Sequence, residues 1–82
     1  MTIQFDNFNL ACDALDTLAN EFDVKYCLGS PMIQSPMIQA FIVKKGDNNY
    51  NLLVDSYISE ENITRIIQKG RGLTLNCSTT NL

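Results

Sequence analysis

Residues 37–58 read Met37-Ile38-Gln39-Ala40-Phe41-Ile42-Val43-Lys44-Lys45-Gly46-Asp47-Asn48-Asn49-Tyr50-Asn51-Leu52-Leu53-Val54-Asp55-Ser56-Tyr57-Ile58, and this stretch decides the fold. Met37 to Lys45 has the β-branched and aromatic content of a strand. It is apolar on both faces from Ala40 to Val43, as a central strand is. Gly46-Asp47-Asn48-Asn49 are turn residues. Tyr50 to Ile58 returns as a second long strand, so the segment is expected to form a β-hairpin. Tyr50, Leu52 and Val54 share one face of it; Asn51, Leu53, Asp55 and Tyr57 share the other. The register of Phe41 against Leu53 is not set by the pattern, because a one-residue slip inverts the faces.

A hairpin with an apolar face needs a cover, and the flanking segments supply two helices. From Asp6 to Phe22, the residues Phe8, Ala11, Cys12, Leu15, Leu18, Ala19 and Phe22 recur at helical spacing. Asp6 is the expected N-cap, with Phe5 and Leu10 forming a hydrophobic staple across it. After the hairpin, Ser59 is the expected cap of a second helix running to Lys69. Glu60 and Glu61 stand in its first turn, where the helix dipole favours acids. Ile58 and Ile63 repeat the staple, Ile63, Ile66 and Ile67 form its buried stripe, and Gly70 follows as a stop signal.

Two shorter strands are expected outside this frame, Val24 to Leu28 and Leu73 to Cys77, each from simple alternation. Between Leu28 and the hairpin lies an identical tandem duplication, Ser30-Pro31-Met32-Ile33-Gln34 followed by Ser35-Pro36-Met37-Ile38-Gln39. A period of five matches no repeat architecture. The pentapeptides are expected to be an inserted copy tolerated in a loop, since lengthening a loop costs little; the alternative is an extended apolar loop that touches a partner. The expected fold is therefore α+β, in the order α-β-β-β-α-β. Two helices would pack on one face of a four-stranded, mainly antiparallel sheet. Residues 1–82 form a single small domain, with 78–82 as a tail. The leading α-β-β-β-α order resembles that of a double-stranded RNA-binding domain. Ser59-Glu60-Glu61-Asn62 stands where that family carries its basic cluster, so no function is carried over.

The composition excludes whole classes of chemistry. The 82 residues contain no His and no Trp. Ser–His and Cys–His catalysis, His-ligated zinc and His-based pH switching are ruled out. No phosphate-binding loop is present; Gly70-Arg71-Gly72 follows a helix and lacks that pattern. Cys12, Cys27 and Cys77 are odd in number and widely spaced, which argues against a disulfide framework. Cys12 and Cys77 are expected to be buried and inert. No cofactor, metal or catalytic residue is assigned, and the chain is read as a non-enzyme. The opening residues do not have the form of a signal peptide, and the longest apolar run, Ala40 to Val43, is too short to span a bilayer. The expected location is the cytoplasm.

What remains is binding. If both helices cover one face of the sheet, Phe41, Val43, Leu53 and Tyr57 lie on the other and form an apolar, aromatic patch of the kind that marks interfaces. The alternative cover for that patch is Thr2 to Phe5 or the duplicated segment. Charge is polarised as well. Residues 1–24 hold Asp6, Asp13, Asp16, Glu21 and Asp23 and no base, within a chain of net charge −3. Asp13, Asp16 and Glu21 on the polar side of the first helix would steer an encounter or block a nucleic-acid groove. The nine Asn and eight Ile fit an AT-rich genome such as those of phages and mobile elements.

The expectation is a protein-binding inhibitor or modulator whose partner is a protein, such as a nucleic-acid-processing host enzyme. The pattern fits a homodimer as well as a monomer with a foreign partner. The alternative is a small RNA or single-stranded nucleic-acid-binding module using Lys44, Lys45, Lys69 and Arg71, with Tyr50 or Tyr57 for stacking.

Overall fold

A computed structural model describes residues 1–70. Its elements are β1 (Thr2–Phe5), α1 (Phe8–Glu21), β2 (Met32–Gln34), β3 (Ile38–Gly46), β4 (Asn49–Ser56) and α2 (Glu60–Gly70). The fold is α+β, with two helices and a four-stranded antiparallel sheet in the spatial order β1-β4-β3-β2. The hairpin forms as expected, and its register pairs Phe41 with Leu53 and Ala40 with Val54. Its two-residue loop, Asp47–Asn48, places Asn48 at φ 56°, a left-handed conformation that Asn tolerates better than most residues. Lys45 is skipped by the pairing, since Lys44 faces Tyr50 and Gly46 faces Asn49, which makes a β-bulge.

One face of the sheet carries the core. Ile3, Phe5, Ile33, Ile38, Ala40, Leu52 and Val54 all fall on it by alternation, and all are buried. They form a single cluster with Ala11, Ala14, Leu15 and Leu18 of α1 and Ile63 and Ile67 of α2. Each large apolar side chain removed from water in this way contributes about 1.5–3 kcal/mol. Ser59 caps α2 as expected, its Oγ accepting from the Asn62 N–H at 3.3 Å. At its other end α2 crosses α1 so closely that a Cβ on Gly70 would overlap the side chain of Thr17.

Several expectations are corrected. The chain opens with a strand rather than a helix: Thr2 to Phe5 pair with Leu53 to Tyr50. Four residues of alternation carry little signal alone; they become a strand because β4 offers an edge and the core takes Ile3 and Phe5. The cap of α1 is Asn7, whose side chain accepts from the Leu10 N–H at 3.0 Å, and not Asp6, because the chain must first leave β1 after Phe5. Phe8, expected on the apolar stripe, is 44% exposed and rests on Tyr50, with ring centroids 5.5 Å apart.

Val24 to Leu28 is not a strand. The C-terminus of α1 consumes its first residue. Asp23 turns left-handed at φ 53°, the Val24 N–H reaches Ala19 O at 2.9 Å and the Asp23 N–H reaches Asn20 O at 3.4 Å. This is a Schellman cap with Val24 as its hydrophobic anchor. Only Tyr26 bridges the sheet, opposite Ile33, while Leu28 is fully exposed.

The tandem pentapeptides are not a tolerated loop insertion. The first forms β2 and the second forms the turn and the start of β3, paired Gln34 to Gln39, Ile33 to Ala40 and Met32 to Phe41. Both isoleucines reach the core. In the second copy Ser35 makes the turn: its Oγ accepts from the N–H groups of Met37 and Ile38 at 3.2 and 3.3 Å, and its own N–H reaches Ile38 O at 2.8 Å. The described order is thus β-α-β-β-β-α. From α1 to α2 it keeps the α-β-β-β-α succession, with β1 added beside β4. The expected strand at Leu73 to Cys77 and the tail at 78–82 lie outside the described residues.

Candidate partner-binding face

The sheet face opposite the core follows directly from the register. Thr2, Leu53, Phe41 and Met32 are mutual neighbours across all four strands and make one row. Gln4, Asn51 and Val43 flank it on one side; Asp55, Gln39 and Gln34 flank it on the other. Met32, Phe41, Val43 and Leu53 are half-buried. The two segments expected as the alternative cover do not fold over this row: Thr2 to Phe5 is edge strand β1, and the duplication supplies β2. They widen the face instead, bringing Thr2 and Met32 into the row.

Toward the Asp55 end the face opens into two adjoining clefts. One, of about 290 Å³, is lined by Phe41, Leu53, Gln39 and Asp55. The next, of about 280 Å³, shares Gln39 and Asp55 and continues to Pro36, Met37 and Tyr57. Two short turns shape this rim. Ser35 holds the Pro36–Met37 turn, and the Ser56 hydroxyl accepts from the Ile58 N–H at 3.2 Å and closes the turn after β4. Both turns push a large side chain into water: Tyr57 is 90% exposed and Met37 56% exposed. β4 ends at Ser56, so Tyr57 stands just beyond the strand to which its alternation assigned it.

Phe41 and Leu53 are therefore cross-strand neighbours on this face, with Val43 flanking them on one side and Tyr57 lining the cleft beyond Asp55 at the opposite end. Asp13, Asp16 and Glu21 are exposed on α1, in the helical layer that packs on the other side of the sheet, and do not join it. Asp16 is not simply solvated, since the Tyr26 hydroxyl donates to its carboxylate. Burial, followed by that bond and the adjacent negative charge, raises the Tyr26 pKa well above the usual tyrosine range. Cys12 is half-buried and not in the core as expected. Its thiol pKa is also raised, first by burial and then by Asp16 and Asp13, which disfavours a reactive thiolate. Cys77 lies outside the described residues.

The basic residues are not gathered. Lys44 lies over the Tyr50 ring at 6.0 Å from its centroid and Phe8 rests against the same ring, so Tyr50 already has two partners. Lys69 precedes the Gly70–Thr17 crossing, roughly 14 Å further along α1 from Phe8 at the usual helical rise. Lys45 sits in the bulge at the far end of β3 from Asp55. Arg71 is outside the described residues. Among the described residues, no group of three or more His, Cys, Asp or Glu is placed to hold a metal ion, and no helix is long and apolar enough to cross a membrane.

Met32, Pro36, Met37 and Gln39 belong to this surface; the sequence reading reached them only through its alternative for the duplicated segment, an apolar loop that touches a partner. Asp55 was signalled by its alternation with Leu53 and Tyr57. Met32 and Met37 enter only because the duplicated pentapeptides become a hairpin. No family model, curated protein or solved structure matches the chain.

Proposed function

We propose that this chain is a non-enzymatic protein-binding inhibitor or modulator that works by occupying a partner's surface with its open sheet face. The observation that carries this reading is the row Leu53–Phe41–Met32. It crosses the sheet in register, continues into clefts edged by Met37 and Tyr57, and is covered by neither Thr2 to Phe5 nor the duplicated segment. Apolar faces with aromatic rims are the surfaces that association desolvates, and a few large side chains carry most of such binding energy. The acidic side of α1 faces the other way. It supports steering of the approach, or exclusion of nucleic acid from a partner's groove, rather than the contact itself. The Asn- and Ile-rich composition makes a phage or mobile-element origin the working assumption, and a host nucleic-acid-processing enzyme in the cytoplasm the partner to test first.

The test is affinity capture from lysates of candidate hosts with the wild-type protein, Phe41→Asp and Tyr57→Asp. The same specific partner should be retained by the wild type and lost from both variants, each checked for folding by circular dichroism. Equal capture by all three proteins rejects the sheet face. Neutralising Asp13, Asp16 and Glu21 together should slow association and weaken its salt dependence, leaving dissociation little changed.

A further inference from the structure

The two edges of the sheet differ in how they end. Along β2 the preceding chain lies as a cover: Tyr26 bridges Ile33, and the Cys27 N–H reaches Met32 O at 2.8 Å. The bond from the Tyr26 hydroxyl to Asp16 ties that cover to α1. β1 forms the other edge, and among the described residues no strand lies beyond it. Sheets protect an open edge with charges, proline, a bulge or a cover. β1 reads Thr2-Ile3-Gln4-Phe5, with no charged side chain and no proline, and its register against β4 is unbroken.

The ladder to β4 fixes which backbone groups of β1 face outward. Met1 and Val54 exchange both of their bonds, Met1 N to Val54 O at 2.9 Å and Val54 N to Met1 O at 2.8 Å. Bonded positions alternate along an antiparallel pair, so Ile3 also turns its N–H and C=O toward β4, and Thr2 and Gln4 turn theirs away from it. Both residues are exposed. This spacing of donors and acceptors is complementary to itself. Against an antiparallel second β1, the register that sets Thr2 opposite Gln4 uses every one of these groups and puts a two-fold axis at Ile3. A slide of two residues either way uses half of them, because the chain leaves the strand after Phe5. In the full register the Met1 ammonium comes beside Asp6 of the second copy, so charges of opposite sign meet at each end of the seam.

We infer that the outer edge of β1 is a self-association site, through which two copies of this chain join antiparallel by the backbone of Thr2 and Gln4 into one continuous sheet. Because the β2 edge is covered, the pairing closes on itself as a dimer instead of propagating head to tail. A ladder this short buries little area, so the dimer is weak, dissociating at about 0.1–1 mM. The seam runs along the sheet edge and leaves the open face of both copies uncovered. The inference therefore goes beyond the reading of that face and does not depend on it.

The experiment is sedimentation equilibrium of the full chain from micromolar to millimolar concentration, joined to isotope-filtered NMR on an equal mixture of labelled and unlabelled chain. The mass should rise from monomer to dimer and stop there. The amide signals of Thr2 and Gln4 should shift with concentration while those of Tyr26 and Cys27 stay in place. The mixed sample should show the Ile3 Hα of one copy against the Ile3 Hα of the other, since the Cα atoms of an unbonded antiparallel pair approach most closely. Gln4→Pro removes an outward N–H and spares the ladder to β4, so it should weaken the dimer at least roughly tenfold. Gln4→Lys keeps the backbone intact at an exposed position and sets two cations about the axis; it should weaken the dimer too, with the circular dichroism of the subunit unchanged. Phe41→Asp, the variant that tests the open face, should dimerise like wild type. A chain that stays monomeric at millimolar concentration, a mass that climbs past the dimer, Gln4→Lys dimerising like wild type, or loss of the dimer in Phe41→Asp overturns the inference.

Discussion

Replacing Ile33 by Ala tests most directly how the tandem pentapeptides are used. Ile33 is fully buried and Ile38 is 2% exposed, although each sits in the same five-residue sequence. Truncating either removes three carbons from the core, a transfer loss of roughly 2.4 kcal/mol at about 0.8 kcal/mol per buried methylene. The cavity left behind adds to this, bringing the cost into the range of about 2–5 kcal/mol. A chain of 82 residues has a total stability of about 4–12 kcal/mol, so the loss is a large share of it. Met37→Ala, at a half-exposed turn position of the second copy, should cost less than about 0.5 kcal/mol. The assay is urea unfolding followed by circular dichroism, with midpoints compared at equal slope. If both copies are structural, Ile33→Ala and Ile38→Ala fall together and Met37→Ala stays with the wild type. An Ile33→Ala midpoint indistinguishable from wild type, beside a large drop for Ile38→Ala, would falsify the assignment of the first copy to β2.

Three further outcomes are expected. Asp23→Gly relieves the left-handed residue of the Schellman cap at φ 53° and should raise stability by about 0.5–1 kcal/mol in the same urea assay; a loss would mean that the Asp23 side chain has a role of its own. Gly70→Ala forces a methyl group into Thr17 and should cost about 1–3 kcal/mol; adding Thr17→Ala should recover much of that, and strictly additive losses would refute the close crossing. The Tyr26 pKa is raised by burial and by the bond to Asp16, so the folded state holds this proton to a higher pH than the unfolded chain does. That contribution to stability is intact below the ordinary tyrosine value of about 10 and is lost as the pH rises beyond it. Unfolding midpoints at pH 8 and pH 11 should therefore converge more for Tyr26→Phe than for wild type, and equal pH dependence would remove the Tyr26–Asp16 bond from the account.

The hairpin, both helices, the cap at Ser59 and the division of β4 into an inward face (Leu52, Val54) and an outward one (Leu53, Asp55) were legible in the sequence. Each rests on local physics: side-chain period, turn residues and helix-end chemistry act within a few residues of themselves. The position of Phe41 beside Leu53 was open until the pairing with β4 selected one of two registers. β1 and β2 were beyond the reach of such signals, because three or four residues become a strand only where a neighbouring edge and a core site accept them. Val24 shows the same competition from the other side. Its alternating context suggested a strand, but closing the end of α1 and packing against the core claimed it first.

The amino-acid order alone therefore determined the class of fold, the absence of histidine chemistry and the placing of Leu53 on the outward face of β4. Tertiary structure decided that the terminal segment and the pentapeptide copies lie beside that face instead of across it, because unpaired strand edges and empty core positions drew Ile3, Phe5 and Ile33 inward. The same choice left Leu53, Phe41 and Met32 in one half-exposed row, with Asp55 at its edge.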